Sequence, residues 1–318
     1  MAPSHCPAKD DPDSTWPPFC PNVGASYFYA VLFLLTLVAH IAQAIIHRKG
    51  YSWVVSMSAL WQFLTYVIRI ISIKNPTQVG YYSAWFILML LAPLWINAYV
   101  YMVLGRMVYN YTSKAKILGV PAWRFGLYFV LLDIVAFIIQ AAGASMASGD
   151  DIPHDDIMRG LHVYMGGVGL QQALILCFVG VAIRFQRQMS RESPMRSKSR
   201  ALVLLYVVYA VLTLISIRII FRLIEYANGY ETGIPTHEAY QYVFDSTMML
   251  LALLLFNIVH PGRIMPGTES DFPSRKDRKA AGKNHQWGRA GRQDGDAPQA
   301  YESSSDLQMK PQVYNATV

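Results

Sequence analysis

The chain has 318 residues, of which 53% are hydrophobic and only 15% charged, with a mean hydropathy of +0.26. Soluble domains carry charge on roughly a quarter of their residues, so an ordinary water-soluble enzyme is excluded, and 13% aromatic residues exclude disorder for most of the chain. The net charge of +7 does not point to nucleic acid, because the 27 Lys and Arg lie between hydrophobic runs and in the C-terminal tail.

Residues 1–25 are acidic and Pro-rich and lack the basic start of a cleavable signal peptide, so they read as a flexible extracellular tail. Cys6 and Cys20 leave two readings open there, a single bridge or two unpaired thiols, while Cys177 reads as a small apolar filler within a hydrophobic run. A membrane-crossing helix needs about 20 mostly apolar residues. Seven stretches qualify, at 26–46, 52–73, 81–104, 125–147, 161–183, 201–223 and 239–259. The expected fold is therefore all-α, a seven-helix membrane bundle spanning 26–262. The first span would act as its own insertion signal, and His47-Arg48-Lys49-Gly50-Tyr51 would make a tight hairpin to the second.

Orientation follows from Lys and Arg in the short loops. Arg48 and Lys49, then Arg106, Lys114, Lys116 and Arg124, then Arg184 to Arg200 fall in alternate connections, and the opposite side carries Asp10, Asp11, Asp13, Asp150, Asp151, Asp155, Asp156, Glu231 and Glu238. The expectation is an N-terminus outside and a C-terminus in the cytosol. The sequons at Asn110 and Asn315 then lie on the cytosolic side and stay unmodified. From residue 263 the composition turns to Gly, Ser, Lys, Arg, Gln and Asp, which reads as a disordered basic cytosolic tail over 263–318. No internal repeat marks an inverted-repeat transporter.

Ionisable side chains at membrane depth are costly and need a partner or a role. The spans contain Arg69, Arg218 and Arg222 against Asp133, Glu225 and Asp245. Arg218, Arg222 and Glu225 are spaced four and three apart, hence on one face near the outer end of the sixth span. Asp245 lies about 9 Å inside the seventh, at 1.5 Å per residue, which matches the depth of Arg218 and Arg69. Asp133 and Gln140 share a face of the fourth span, and Gln171 and Gln172 sit near the middle of the fifth. One nearly charge-balanced polar cluster in the outer half is expected, lining a recess for a lipid head group or fixing helix register. Asp133 is the candidate proton carrier, because a carboxyl near the midplane is expensive to keep charged. Gly166-Gly167-x-Gly169 and Ala141-Ala142-Gly143 favour close helix approach, Pro93 interrupts the third helix, and Tyr27, Trp53, Tyr81, Trp123 and Tyr240 read as interfacial anchors. His40, His47, His162 and His260 form no His-x-x-x-His pair, and no phosphate-cradling Gly-rich loop occurs, so neither a metal, another cofactor nor an enzyme is expected.

Leu91-Ala92-Pro93, Tyr101, Gly105-Arg106, Asp133, Gln140, Gly143 and Gly167-x-Gly169-Leu170-Gln171 recur in order, followed by Arg218-x-x-x-Arg222-x-x-Glu225-Tyr226-x-x-Gly229, Glu238, Tyr242-x-x-Asp245 and His260-Pro261-Gly262. This set, from about Tyr27 to Gly262, resembles the fungal RTA-like family of lipid-translocating exporters, named for resistance to aminocholesterol. The resemblance implies a seven-span fungal protein, most often of the plasma membrane, that exports or flips amphipathic lipids such as sphingoid long-chain bases, or confers resistance to sterol-like and azole toxins. The second span departs from the family's acidic residue and Gly-Tyr-x-x-Arg: Gln62 takes the acidic place and Thr65 that of the Gly, with Tyr66 and Arg69 retained. Lipid translocation with membrane lipids as partners is one expectation. The alternative is a seven-helix receptor or membrane-stress sensor whose cytosolic partner binds loop 184–200 or the tail.

Overall fold

A computed structural model describes residues 14, 16, 20–147, 153–192, 195–227, 237–274 and 276. The helices are α1 (Val23–His47), α2 (Trp53–Lys74), α3 (Val79–Tyr111), α4 (Ala122–Met146), α5 (His154–Glu192), α6 (Met195–Tyr226), α7 (Glu238–Gln241), α8 (Thr247–Ile258) and α9 (Pro261–Ile264). A π-helical turn, Tyr242–Ser246, joins α7 to α8, so that Glu238–Ile264 forms one span. Among the described residues seven helical segments are long and apolar enough to cross a membrane, in the order and places the hydrophobic runs predict. The protein is a seven-span membrane bundle.

The packing inverts that of a soluble protein. Large aliphatic and aromatic side chains such as Leu35, Val38, Ile45, Leu131, Ile138, Leu176, Ile217 and Ile258 are exposed, whereas Arg69, Asn97, Asp133, Gln140, Gln171 and Arg222 are buried. Lipid solvates the first set, and the bundle must satisfy the second. Cys177 is free and exposed on this apolar surface, so it fills no core position.

Successive spans run antiparallel. Lys74 at the end of α2 donates to Tyr27 at the start of α1 (3.0 Å), and the N–H of Asn22 donates to Glu238 at the start of α7 (2.7 Å). This end is called the N-side below. At the other end, the C-side, His47 stacks on His260 (4.8 Å). The helix α3 lies centrally, against α2, α4, α5 and α6, and the seventh span closes the ring onto α1 and α6.

Local chemistry sets the element boundaries. Asn22 caps α1 by accepting from Ala25 N–H (3.0 Å), and Arg48 ends that helix in a left-handed conformation (φ 50°). The third connection contains a short hairpin, Lys116–Ile117 with Val120–Pro121, turned through Leu118 and Gly119, both at positive φ. Two positive-φ residues make the turn that suits a two-residue hairpin, and Leu118 gave no sign of it in sequence.

Two expected boundaries are corrected. Chain beyond residue 263 does not all belong to a disordered tail: Lys49 Nζ donates to Gly267 O and Ser270 Oγ (2.6 Å each), and Asp271 pairs with Arg106 (3.0 Å) and Lys49 (3.4 Å). The Arg106 guanidinium lies between the rings of Tyr51 (3.8 Å) and Phe272 (4.8 Å). Polar composition hid this strap because charge and hydrogen bonds hold it alongside only three apolar side chains, Ile264, Met265 and Phe272. The sequon residue Asn110 is buried under it, donating to Ser270 O (3.0 Å). The rest of the expected tail, with Asn315, lies outside the described residues. The N-terminal segment is not wholly a flexible tail either, since Trp16 is buried against Trp85 and Cys20 is disulfide-bonded; Cys6 lies outside the described residues.

The helices α4 and α5 meet through small residues. A Cβ on Gly143 would lie 2.2 Å from Tyr164 N, one on Gly160 2.6 Å from Ala147 N, and one on Gly167 2.8 Å from Gln140 Cγ. Here the close approach itself requires glycine. Gly143→Ala is expected to force the two backbones apart at a cost of about 1–3 kcal/mol, read as a lowered unfolding midpoint in detergent. Gly166→Ala, whose Cβ would meet nothing within 4 Å, serves as the neutral control.

Candidate functional site

The expected single cluster resolves into three polar centres. The first unites α6 with the π turn. Arg218 Nε donates to Asp245 Oδ1 (2.5 Å), Arg222 NH2 pairs with Asp245 Oδ2, and Arg222 NH1 donates to Glu225 Oε2 (2.7 Å). All four side chains are buried. Arg218 and Arg222 stand one turn apart and would repel each other; Asp245, offering one oxygen to each, and Glu225 on Arg222 together neutralise the pair.

Backbone irregularities supply the remaining partners. Pro93 sits inside α3 and has no N–H, which leaves the carbonyl of Met89, four residues earlier, without its helical donor. Arg218 NH2 donates to that carbonyl (3.3 Å), and the Met89 sulfur receives Arg222 NH2 (3.1 Å) and Gln241 Nε2 (3.0 Å). In the π turn the Tyr242 carbonyl accepts from Thr247 N–H and also from Thr247 Oγ1 (2.9 Å) and Tyr29 OH (3.3 Å). Single π turns recur at functional sites because they re-aim side chains, here Asp245 towards α6 and Ser246 onto the Tyr66 hydroxyl.

The second centre holds Arg69, which sequence reasoning grouped with Asp245. Its partner is Glu238 instead (2.6 Å), and its guanidinium lies over the faces of Trp85 (4.5 Å), Trp16 (4.9 Å) and Tyr242 (5.5 Å). Aromatic faces stand where hydrogen bonds to Nε and NH1 would otherwise be needed. Glu238 also accepts from Tyr242 OH (3.0 Å), and Tyr242 bonds Ser26 (2.9 Å), so the first and seventh spans are tied at this end. Glu238 had been read as a loop acid, and Trp16 as part of a flexible tail. The Glu238-x-x-x-Tyr242 spacing was the available signal, since i and i+4 share a helix face.

The third centre is deeper. Asp133 Oδ2 accepts from Asn97 Nδ2 (3.0 Å) and Tyr101 OH (2.9 Å), both on α3, and no cation pairs with it among the described residues. Gln140, expected beside Asp133, turns instead to α5, where it donates to Gln171 Oε1 (3.1 Å); Gln172 donates to Ser216 (3.3 Å). These two contacts tie α4 to α5 and α5 to α6.

An apolar groove of about 400 Å³ opens on the membrane-facing surface between α6 and the seventh span, lined by Ile217, Ile220, Phe221, Ile224, Tyr240 and Phe244. Phe221 stacks on Phe244 (5.5 Å), and these rings are chain neighbours of Arg222 and Asp245. Tyr240, read from sequence as an anchor only, forms part of this wall. An apolar groove and buried charge thus share the same two helical spans.

Asp245→Ala leaves the Arg218 guanidinium without a carboxylate and Arg222 with Glu225 alone, and is expected to cost about 3–5 kcal/mol. Glu225→Gln, which leaves Asp245 on Arg222, is expected to cost less; unfolding midpoints of the purified variants check the order.

The description "RTA1 like protein" is that of the family model matching residues 55–268. A protein of Emericella nidulans named "Probable lipid transporter atnI" is 41% identical over 270 residues, covering 81% of this chain and 70% of its own length. The Saccharomyces cerevisiae protein named "Sphingoid long-chain base transporter RSB1" is 23% identical over 288 residues, 80% of this chain and 75% of its own length. "Protoporphyrin uptake protein 1" of the same yeast is 30% identical over 196 residues, 61% of this chain and 63% of its own length. No solved structure matches the chain. With buried Arg218, Arg222, Glu225 and Asp245 inside a seven-span bundle and a family match over most of its length, this chain belongs to the RTA1-like protein family.

Proposed function

We propose that this protein translocates an amphipathic lipid between the leaflets, holding the chain in the groove between α6 and the seventh span and the head group at the Arg218/Arg222/Glu225/Asp245 network. The single observation behind this reading is their adjacency: Phe221 and Phe244 wall the groove while Arg222 and Asp245 bond behind them. The bilayer already solvates the lipid's tail, so the protein need only lower the cost of taking the head group into the membrane interior. A cationic amphiphile, of the kind named for the sphingoid-base transporter relative, would exchange with Arg222 on Glu225, a carboxylate that Arg222 holds through Oε2. Arg222 keeps Asp245 during that exchange, so no guanidinium is stranded.

The proposed orientation places the N-side outside and the C-side in the cytosol of a plasma-membrane protein, in line with the Lys and Arg of the C-side loops. The relatives are named as transporters, which supports a non-enzymatic role. The receptor alternative draws on a polar recess of about 380 Å³ at the C-side, bounded by Lys114, Arg184, Arg187 and Arg191, where a cytosolic partner would meet positive charge. The sequence 184–200 falls partly outside the described residues.

The test is movement of a fluorescent sphingoid base across liposomes containing the purified full-length protein. Ile224→Trp, which fills the groove from an exposed position, is expected to slow movement several-fold while leaving the unfolding midpoint unchanged. Wild-type protein no faster than empty liposomes, or an Ile224→Trp variant as fast as wild type, would contradict the reading.

A further inference from the structure

Asp133 is the carboxylate that the charge network does not use. It is 2% exposed, and Asn97 beside it is fully buried. Asn97 Nδ2 and Tyr101 OH both donate to the same oxygen, Oδ2. Oδ1 of Asp133 has no partner among the described residues, and neither has Oδ1 of Asn97. An amide and a carboxyl are both planar two-atom groups. When an amide meets a carboxyl edge to edge, with its N–H on one carboxyl oxygen, the two remaining oxygens face each other along the other edge. Here both of those atoms are acceptors, so the pair lacks one donor. A buried acceptor without a donor costs about 1–3 kcal/mol, and two such atoms on one pair point to a single missing hydrogen.

We infer that Asp133 and Asn97 form a proton-loaded carboxyl–amide pair, in which Asp133 carries a proton on Oδ1 and donates it to Asn97 Oδ1. Both orphaned oxygens are satisfied by that one proton, and every atom of the pair then has a partner. Ionisation passes the proton to water when α3 and α4 admit it, and leaves a carboxylate held by Asn97 N–H and Tyr101 O–H. Uptake reverses the step. Tyr101 of α3 is the titratable group that faces Asp133, and Asp133 makes no ion pair among the described residues; α5 meets the neighbouring face of α4 through the neutral Gln140–Gln171 pair. The site therefore binds a proton without disturbing the three arginines and their carboxylates. Its use, though not its existence, rests on the lipid-movement reading: proton release and uptake at Asp133 would couple that movement to a pH gradient.

The experiment is infrared difference spectroscopy on the purified, reconstituted protein, run beside the lipid assay under an imposed pH gradient. A C=O stretching band of a protonated carboxyl is expected in wild type at neutral pH and absent from Asp133→Asn. That variant keeps the shape and supplies an amide N–H to Asn97 Oδ1, so it folds. Tyr101→Phe is expected to retain the band at higher frequency, because the carbonyl oxygen loses one hydrogen bond; a purely structural role for Tyr101 would leave it unmoved. A spectrum in which Asp133→Asn removes no such band overturns the proton-loaded pair, whatever the lipid assay gives. In the lipid assay, wild type is expected to respond to the pH gradient and Asp133→Asn to lose the response; an identical response in both overturns the coupling. If no protein moves lipid at all, the functional reading fails and the infrared band alone decides the pair.

Discussion

Two guanidinium groups held by one carboxylate organise the N-side half of this bundle. An arginine in a bilayer span is tolerated only when its charge is matched and its donors are used. Arg218 and Arg222 sit one turn apart on α6, so a single acid on the neighbouring span serves both only if it lies between them. The π turn at Tyr242–Ser246 puts Asp245 there, and the interruption at Pro93 provides the extra acceptor on α3. Three spans are thereby fixed by contacts to one pair of side chains. The same constraint explains why Arg69 takes its own carboxylate, Glu238, beneath a roof of aromatic rings.

Function follows from where that network stands. It is buried, and Phe221 and Phe244, the chain neighbours of Arg222 and Asp245, help to line an apolar groove. A lipid lying in the groove would bring its head group to carboxylates and guanidiniums that share several partners, so substitution of one partner by another costs far less than exposing a bare charge. Deeper in the bundle, Asp133 is held by neutral donors alone, an environment of a different kind from that of the paired acids. Close glycine contacts bring α4 against α5 beside it.

Much of this was legible in the sequence, for identifiable reasons. The seven spans follow from apolar runs of sufficient length, and the grouping of Arg218, Arg222, Glu225 and Asp245 follows from helical spacing and depth. The Gly143 and Gly167 contacts follow from runs of small residues. What escaped depends on pairings between distant segments or on the backbone. Nothing local assigns Glu238 to Arg69, brings Trp16 over it, or gives Met89 a free carbonyl aimed at Arg218. The turn through Leu118 and Gly119 lacks the usual Asn-Gly signature, and the strap at 264–272 carries only Ile264, Met265 and Phe272 into the apolar core, its other contacts being polar ones to Lys49 and Arg106. Depth alone suggested one cluster; azimuth around each helix divides it into three.

The central claim is that a lipid occupies the face between α6 and the seventh span, with its head group at Glu225 and Asp245. A photoactivatable sphingoid base, crosslinked to the reconstituted protein and mapped by mass spectrometry, tests this most directly. The account predicts saturable labelling of peptides containing Phe221, Ile224 and Phe244, displaced by unlabelled sphingoid base. Labelling confined to other lipid-facing helices, or spread evenly and not displaced, would contradict it.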